Sequence, residues 1–341
     1  MEGPIADIIY PYTPRMTGIR RYSERLIKSL GDIGAPVRFH RVRKIEYTLS
    51  GKPAGGLISQ RFFSMFVRKS APVVHALAPD LAGSRVNLVT VHDLIPFKLK
   101  DIFIKTRRER LGYRLMFSRI WDADIIVQTE TTKKELLALG ISDAKVHVCG
   151  LSVDDMFRPD STPSPYSDNE KRHLLTVGDF NPRKRFDIIY RAVANLKDAE
   201  LYHIGPTNRW EKRREELASI AQKAGNIHML GELPDNELLR YMQHADLFVF
   251  LSEDEGAGYP VAEAISCGVN AVVNDLSVFR ELYGDMVFYT GLNEEELASA
   301  IKHALENPKD KEALLRYAGR FSRLEEARRV LSVYQEIARK H

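Results

Sequence analysis

The chain has few cysteines and no long hydrophobic run. Its 341 residues include only two cysteines, Cys149 and Cys267, which form no metal-binding or redox motif, so either a reducing compartment or simple burial explains them. The best apolar run, 247–251, is far shorter than the roughly 20 residues of a membrane-spanning helix. The first residues lack the basic and long apolar segments of a signal peptide. These absences predict a cytoplasmic protein that does not span a bilayer.

Several common catalytic motifs are also missing from the sequence. No Gly-x-Gly-x-x-Gly occurs, so a nicotinamide-dependent enzyme loses support. The chain also contains no Gly-x-x-x-x-Gly-Lys-Ser/Thr, no His-Glu-x-x-His and no Gly-x-Ser-x-Gly. Any chemistry must therefore come from another arrangement of residues.

Short β-branched runs alternate with helical patterns along the chain. With 44% hydrophobic and 28% charged residues, the chain has enough apolar material for two cores. Such alternation is typical of parallel sheets covered by helices, so we predict two doubly wound α/β domains. We predict helices at 19–30 and 131–139 and through most of 294–340. The predicted strands are 5–10, 37–42, 73–77, 87–91, 124–128, 145–148, 173–177, 200–204, 226–230, 246–251 and 270–274.

A polar stretch, 158–171, interrupts this alternation and contains three prolines. Proline and small polar residues between periodic segments are typical of linkers. We therefore predict a first domain over 1–160, a linker over 161–171 and a second domain over 172–323.

The net charge of +4 hides an asymmetry between the two halves. Residues 1–160 contain 26 Lys and Arg against 17 Asp and Glu, whereas the remainder contains 24 against 29. Much of the excess lies in 98–119, a helix-like segment in which Leu111, Leu115 and Ile120 are spaced to face a core. This segment is either a solvated helix face or a surface for anionic lipid headgroups or a phosphate-bearing acceptor.

The first candidate site follows the apolar strand 246–251. Gly256 and Gly258 allow close approach of a ligand to the backbone, and Pro260 suits the start of a following helix. Ligands of parallel α/β sheets bind at the carboxyl ends of strands, and helix starts favour diphosphates. This strand, turn and helix therefore predict a diphosphate-binding site.

Charged residues in and near two such turns could complete this site. Glu255 and Glu263 can each hold hydroxyl groups, although Glu263 alone could simply complement a helix start. Arg183 and Lys184 follow the strand 173–177 and can neutralise a diphosphate without a metal; the alternative is a solvated basic turn. Since both turns leave the carboxyl ends of strands, we expect them to converge.

Two further candidates lie in the first half. His92 follows the predicted strand 87–91 and would face a ligand there, although a lone histidine is usually structural. Gly18 opens the helix after the first strand, where its backbone could approach a ligand closely.

These motifs, in this order, resemble glycosyltransferase family 4, whose retaining enzymes have the GT-B fold. The likeness covers nearly the whole chain, and the two glutamates separated by seven residues are its most specific part. It implies an α/β protein of two Rossmann-like doubly wound domains that face each other across a cleft. The matching pieces are 18–22, 92–96, 182–184, 233–238 and 255–264.

The resemblance also implies roles for individual side chains, in a site with no metal and no cofactor. Glu255 would contact the donor sugar and Glu263 the ribose hydroxyls, while Arg183 and Lys184 would bind the diphosphate. His92 would lie beside the transferred sugar.

Backbone groups would supply the remaining donor contacts. Gly18 would lie near the phosphates, and 230–231 near the base. The closing helix, 324–341, would return to the first domain. The implied backbone contacts with the donor are those of Gly18, Leu230, Gly231, Ala257, Gly258 and Tyr259.

The implied activity is retaining transfer of a hexose from GDP-mannose or a UDP-sugar to a glycan or lipid-linked acceptor, with no nucleic acid partner. The protein would be cytoplasmic, or peripheral on the inner face of the membrane through 98–119. Two alternatives stay open, a non-catalytic carbohydrate-binding protein of the same fold and a nucleotide-sugar epimerase. Asp179 stands where many relatives carry an arginine, so Arg183 must supply the positive charge. Ala257 replaces a common phenylalanine, a departure that bears on which sugar is bound.

Overall fold

A computed structural model describes residues 3–12, 18–43, 71–103, 107–166, 170–207 and 210–340. The chain divides into two compact units, one formed by 1–152 with 322–341 and the other by 153–321. The stretch predicted as a linker, 161–171, falls inside the second unit. There the Tyr166 hydroxyl donates a hydrogen bond to the Tyr241 carbonyl at 2.7 Å.

The first unit contains a six-stranded parallel sheet in the order β2-β1-β3-β4-β5-β6. All residues of β3 and β4 are buried, His75 and Thr90 included, which explains why their sequences do not alternate between apolar and polar residues. The strands are β1 Ala6–Tyr12, β2 Val37–Arg43, β3 Val73–Ala76, β4 Leu88–Thr90, β5 Asp124–Val127 and β6 Val146–Val148. The helices are α1 Gly18–Asp32, α2 Ile95–Lys98, α3 Lys100–Phe103, α4 Arg107–Met116 and α5 Glu130–Ala138.

The second unit contains another six-stranded parallel sheet, in the order β12-β11-β10-β7-β8-β9. The strands are β7 Arg172–Val177, β8 Ala199–Ile204, β9 Ile227–Gly231, β10 Leu247–Phe250, β11 Ala271–Asn274 and β12 Phe288–Thr290. The helices are α6 Phe186–Ala194, α7 Glu211–Ala224, α8 Asp235–His244, α9 Tyr259–Ser266, α10 Ser277–Tyr283, α11 Glu294–Glu306 and α12 Lys311–Ala318. The closing helix, α13 Arg323–Lys340, belongs to the first unit.

Each sheet has a point at which the strand order reverses. In the second unit the chain runs outward from β7 through β8 to β9, and then from β10 through β11 to β12 on the other side. This is the strand order of dinucleotide-binding Rossmann domains, and the first unit has the related order that begins 2-1-3. Ligands of such sheets bind at the carboxyl ends of the strands where the order reverses. The loops after β7 and β10 therefore border the expected binding position of the second unit.

The predicted α/β class and eleven of the twelve strands are confirmed, with ends that differ by one or two residues. Strand β12 was not predicted, because its residues Phe-Tyr-Thr include none of the Val, Ile and Leu that mark the equally short β4 and β6. The described parts of 98–119 include the short helices α3 and α4, and Ile120 is buried as predicted, whereas the side chain of Leu115 lies outside the described residues. The prediction for Leu111 is wrong, since its side chain is 57% exposed. Leu111 lies on the solvent-facing side of α4, together with Arg107, Arg110 and Arg114.

Both cysteines are buried and free. Burial raises the pKa of each thiol, so neither is an activated nucleophile. Within the ranges that the structure describes, no helix is long and apolar enough to cross a membrane.

Candidate functional site

The loops after β7 and β10 are joined through their backbones. The Glu253 amide donates a hydrogen bond to the Arg183 carbonyl at 2.8 Å. Arg183 and Lys184 lie in a 3-10 turn over 182–184, whose first amide is capped by the side chain of Asn181 at 3.2 Å. The turn therefore holds both cations against the loop that carries Glu255.

Arg183, Lys184 and Glu255 form one buried ion cluster. Glu255 Oε1 accepts hydrogen bonds from Arg183 Nη1 at 2.5 Å and from Lys184 Nζ at 2.6 Å. Arg183 Nη1 also lies 2.9 Å from Ser252 Oγ and 2.8 Å from the Asp254 carbonyl oxygen. The three charged side chains are between 9% and 14% exposed. The two motifs that the sequence predicted to converge do so.

The electrostatics of the cluster are dominated by burial and by the two cations. Burial by itself would raise the pKa of Glu255, but the charges of Arg183 and Lys184 outweigh it and lower the pKa to about 2. Burial and the neighbouring Arg183 lower the pKa of Lys184, whereas Glu255 opposes this change. Lys184 Nζ also lies 4.2 Å from the centre of the Phe250 ring, which favours a cation there. The cluster therefore combines two positive charges with one negative charge.

The turn over 256–258, called the glycine turn below, packs against α10. The Tyr283 hydroxyl lies 3.0 Å from the carbonyl oxygen of Ala257 and 2.9 Å from that of Gly258. Because peptide N–H and C=O groups point in opposite directions, the amides of Gly258 and Tyr259 point away from Tyr283. Gly258 has a φ of 62°, and a Cβ there would lie 2.6 Å from a ring carbon of Phe279. The turn requires glycine for both reasons.

Glu263 and Tyr259 both belong to α9, which begins directly after the turn. The Glu263 side chain is buried, in the second turn of this helix. The helix start directs its first amides and the positive end of its dipole outward beside the ion cluster. An anion bound there would meet backbone donors as well as side-chain cations.

Leu230 and Gly231 end β9, at the carboxyl edge of the same sheet. Two strand spacings, about 10 Å in all, separate β9 from β7, the strand whose following loop carries Arg183 and Lys184. Both residues are half-buried, and the Gly231 carbonyl accepts a hydrogen bond from the Gly205 amide at 2.9 Å. They do not join the cluster, but they border the same sheet edge.

His92 and Gly18 belong to the first unit. His92 follows β4, and its Nε2 lies 3.0 Å from the Leu77 carbonyl after the neighbouring strand β3. Burial, with a smaller contribution from Arg25, lowers the pKa of His92 to about 4, so the ring is neutral at pH 7 and donates to this carbonyl. Gly18 begins α1 and is exposed, but the preceding 13–17 lie outside the described residues.

Sequence reasoning missed several residues that support the site. The Asn274 side chain pairs with both backbone groups of Ser252, at 2.8 and 2.9 Å, which fixes the start of the turn. His203 Nε2 lies 2.9 Å from the Gly178 carbonyl, and its Nδ1 accepts a hydrogen bond from Tyr190 at 2.7 Å. In the sequence, Asn274 and His203 are marked only as polar residues near the end of a buried strand, and this does not indicate which groups they bind.

The arrangement can bind an anion with two or more charges. Two cations and the amides of a helix start lie at the reversal point of the sheet, where a diphosphate fits their charge and geometry. Among the described residues, no group of three or more His, Cys, Asp or Glu side chains is arranged to hold a metal ion.

Solved structures identify the class of fold. A glycosyltransferase from Rickettsia africae superimposes with a TM-score of 0.72 at 17% identity, over 99% of each chain. Anabaena HepE, solved in complex with UDP and glucose, gives a TM-score of 0.74 at 15% identity, over 97% of this chain and 99% of that one. The predicted GT-B fold, with two parallel six-stranded sheets, is confirmed.

Sequence comparison identifies the family. The model of glycosyl transferases group 1 matches residues 158–321. An N-acetylgalactosaminyltransferase of Campylobacter jejuni, which acts on N-acetylgalactosamine-N,N'-diacetylbacillosaminyl-diphospho-undecaprenol, is 30% identical over 73% of this chain and 68% of its own length. The O-antigen chain mannosyltransferase RfbU of Salmonella typhimurium is 26% identical over 66% of this chain, which covers 62% of that protein. The chain belongs to the glycosyl transferases group 1, or family 4, and the predicted family is confirmed.

Proposed function

We propose that this chain is a retaining glycosyltransferase that transfers a hexose from a nucleotide diphosphate sugar to a glycan or lipid-linked acceptor. The observation that carries the proposal is the convergence of Arg183, Lys184 and the glycine turn at the reversal point of the second sheet. Membership of the family supports transfer as the reaction.

Charge neutralisation is the main contribution of these residues to the reaction. The acceptor hydroxyl attacks the anomeric carbon from the face that the diphosphate leaves, the bond to the diphosphate breaks, and the acceptor proton passes to the leaving phosphate. Arg183, Lys184 and the amides of Gly258 and Tyr259 stabilise the negative charge that grows on that phosphate. Such preorganised donors contribute several kcal/mol in a site that excludes water.

The remaining predicted contacts extend this proposal over the rest of the donor. Glu255 contacts the sugar, Glu263 the ribose hydroxyls, and the edge at 230–231 the base. In the first unit, His92 lies beside the transferred sugar and Gly18 near the phosphates. The donor is GDP-mannose or a UDP-sugar, in keeping with the names of the mannosyltransferase relatives and with the UDP bound to HepE.

Thermal-shift titration with nucleoside diphosphates and their sugars tests donor binding. A ligand that binds only the folded state raises the melting temperature, so either UDP or GDP and its sugar should do so. If no nucleotide or nucleotide sugar raises it, the proposal is wrong.

Incubation with labelled donors separates the competing functions. A transferase labels an acceptor, an epimerase changes the sugar of the donor without an acceptor, and a non-catalytic binding protein does neither. The intact cluster of Arg183, Lys184 and Glu255 supports the first outcome.

The acceptor proposal includes an anionic membrane surface. A relative that acts on an undecaprenol-linked substrate supports a lipid-linked acceptor. The segment 98–119 and its neighbour Trp121 combine cations with large apolar side chains at the surface, which suits anionic headgroups. Among the side chains of this segment that the structure describes, Asp101 is exposed beside the exposed cations and large apolar residues, which are Lys98, Lys100, Arg107, Arg110, Leu111, Arg114 and Trp121.

Flotation with phosphatidylcholine vesicles, with and without phosphatidylglycerol, tests this surface. The protein should float only with the anionic vesicles and less so at high salt, because salt screens these charges. Reversing Arg110 and Arg114 to Glu should abolish flotation, whereas reversing exposed Lys223 and Lys302 should not. Equal loss in both double variants would contradict a specific surface.

A further inference from the structure

We propose that Glu255 is an exchangeable ligand of Arg183 and Lys184 that makes the site select the intact nucleotide sugar over the nucleoside diphosphate product. This inference rests on the proposed function. When no diphosphate is bound, the carboxylate pairs with both cations. When an intact donor binds, the sugar hydroxyls donate hydrogen bonds to the Glu255 carboxylate, and the diphosphate takes its place beside Arg183 and Lys184.

The hydrogen-bond geometry makes Glu255 a direct competitor of a phosphate. A single oxygen, Oε1, accepts from Arg183 Nη1 at 2.5 Å and from Lys184 Nζ at 2.6 Å. A phosphate oxygen is an acceptor of the same kind for the same two donors. The Glu255 carboxylate and any bound anion therefore compete for the same N–H donors of Arg183 and Lys184.

Burial makes the exchange depend on replacement partners. The Glu255 side chain is 9% exposed, and that of Lys184 is 10% exposed. A buried charge that loses its partner is strongly unfavourable. A nucleoside diphosphate satisfies the cations but leaves the carboxylate unpaired, whereas the sugar of an intact donor brings hydroxyl donors. The product is thus held less tightly than its charge alone suggests, which favours its release after transfer.

The backbone around Glu255 is fixed, so the exchange requires only a side-chain rotation. The Glu253 amide is tied to the Arg183 carbonyl at 2.8 Å, and the Tyr283 hydroxyl holds the carbonyls of Ala257 and Gly258. Glu255 lies between these two anchors. Its carboxylate can move while the cations and the helix-start amides stay where a diphosphate would meet them.

Calorimetric titration of Glu255→Gln tests the proposal, with inorganic pyrophosphate, UDP, GDP and the corresponding nucleotide sugars as ligands. The variant removes the negative charge that offsets both cations, so it should bind pyrophosphate and the matching nucleoside diphosphate at least about tenfold tighter than the unsubstituted protein does, equivalent to about 1.4 kcal/mol. The gain for the nucleotide sugar should be smaller, so the preference for intact donor falls.

Glu253→Gln is the matched control. It removes the same charge from the same turn, but the Glu253 carboxylate pairs with Arg185 at 3.2 Å rather than with Arg183 or Lys184. Its affinity for pyrophosphate should stay within about twofold of the unsubstituted protein, because long-range charge effects in water are weak. Equal tightening in both variants would mean that net charge, not exchange, controls binding.

Three results distinguish this inference from the proposed function. If the unsubstituted protein binds no nucleotide or nucleotide sugar, the proposed function fails and the inference with it. If it binds them but Glu255→Gln binds pyrophosphate no more tightly, only the inference is wrong. If Glu255→Gln does not fold, Glu255→Asp serves instead, since its shorter side chain keeps the charge but cannot reach both cations. Pyrophosphate should then raise its melting temperature more than that of the unsubstituted protein; an equal or smaller rise overturns the inference.

Discussion

Three side chains carry the chemistry of the second unit: Arg183 and Lys184 both donate hydrogen bonds to one oxygen of Glu255. Arg183 and Lys184 are adjacent in the chain, and like charges that close repel each other when buried. Glu255 offsets that repulsion, and the ring of Phe250 lies against the Lys184 ammonium group. Both cations follow β7, and their partners Phe250 and Glu255 lie at the end of β10 and in the loop after it.

Replacing Lys184 by Ala should slow sugar transfer by about a hundredfold or more, because a preorganised cation no longer stabilises the leaving phosphate. Steady-state kinetics with the preferred donor measure this change. Far-ultraviolet circular dichroism should confirm that the fold is kept.

Arg185→Gln is the control for Lys184→Ala. Arg185 follows in the same turn, but it pairs with Asp187 and Glu253 rather than with Glu255. Its replacement should change the rate by less than about fivefold, because a partly exposed ion pair contributes at most about 1 kcal/mol. A loss as large as that of Lys184→Ala would mean that the overall charge of the turn matters rather than Lys184 itself.

At the scale of elements, helix α10 determines the shape of the glycine turn. Phe279 and Tyr283 lie one helical turn apart, and both are fully buried beneath Gly258. One fills the space where a Cβ would lie, and the other fixes two carbonyl groups. The anion-binding geometry of the turn is therefore determined by a helix that begins almost 20 residues later.

Gly258→Ala should destabilise the fold more than an ordinary glycine replacement does and should weaken nucleoside diphosphate binding. The left-handed backbone alone costs about 1–2 kcal/mol for a residue with a Cβ. The new Cβ would also lie 2.6 Å from Phe279, which is fully buried and cannot move aside cheaply. Urea unfolding and calorimetric titration measure the two effects.

Gly225→Ala isolates the backbone contribution to that result. Gly225 ends α7 with a φ of 74°, and a Cβ there would meet no atom within 4 Å. Its replacement should cost only the backbone penalty and leave ligand binding unchanged. Equal destabilisation by the two variants would show that contact with Phe279 has no effect.

At the scale of the molecule, each unit buries a neutral histidine at its centre. Burial lowers the pKa of His75 to about 3, with His92 adding to the effect, and burial lowers that of His203 to about 4. His75 connects Tyr334 of α13 to Thr90 of β4, and His203 connects α6 to the loop after β7. Both imidazoles are buried in hydrogen-bond networks in which the neutral ring is favoured over the protonated ring.

The free energy of unfolding should therefore fall as the pH drops below 6.5. The unfolded chain binds a proton at each histidine near its ordinary pKa of 6.5, whereas the folded chain binds none until about pH 4. The contribution of His203 is fully present above pH 6.5 and is lost between 6.5 and about 4. Urea unfolding at pH 7.5, 6.5 and 5.5 measures this slope.

His203→Gln should flatten the slope by about 1 kcal/mol per pH unit between pH 6.5 and 5.5, because glutamine does not titrate. Its amide can still donate to the Gly178 carbonyl, so the loop after β7 should keep its place. A variant with the unsubstituted slope would contradict the neutral, buried state of His203.

The sequence by itself determined the α/β class, most strand positions and the three charged residues of the cluster. Period and composition report local preference, and Arg183, Lys184 and Glu255 lie in turns whose residue types are informative alone. Its failures were local too. Strand β12 contains none of the Val, Ile and Leu that mark the equally short β4 and β6. Leu111 lies on the solvent-facing side of α4, together with Arg107, Arg110 and Arg114.

Only the tertiary structure decided which residues support the site. Asn274 and Tyr283 are 22 and 25 residues from the backbone groups that they bind, and nothing in their own neighbourhood marks them. The order of strands brings them together, because β10 pairs with both β7 and β11. Strand order follows from how two faces of a sheet are covered, which is a property of the packed chain and not of any short stretch of it.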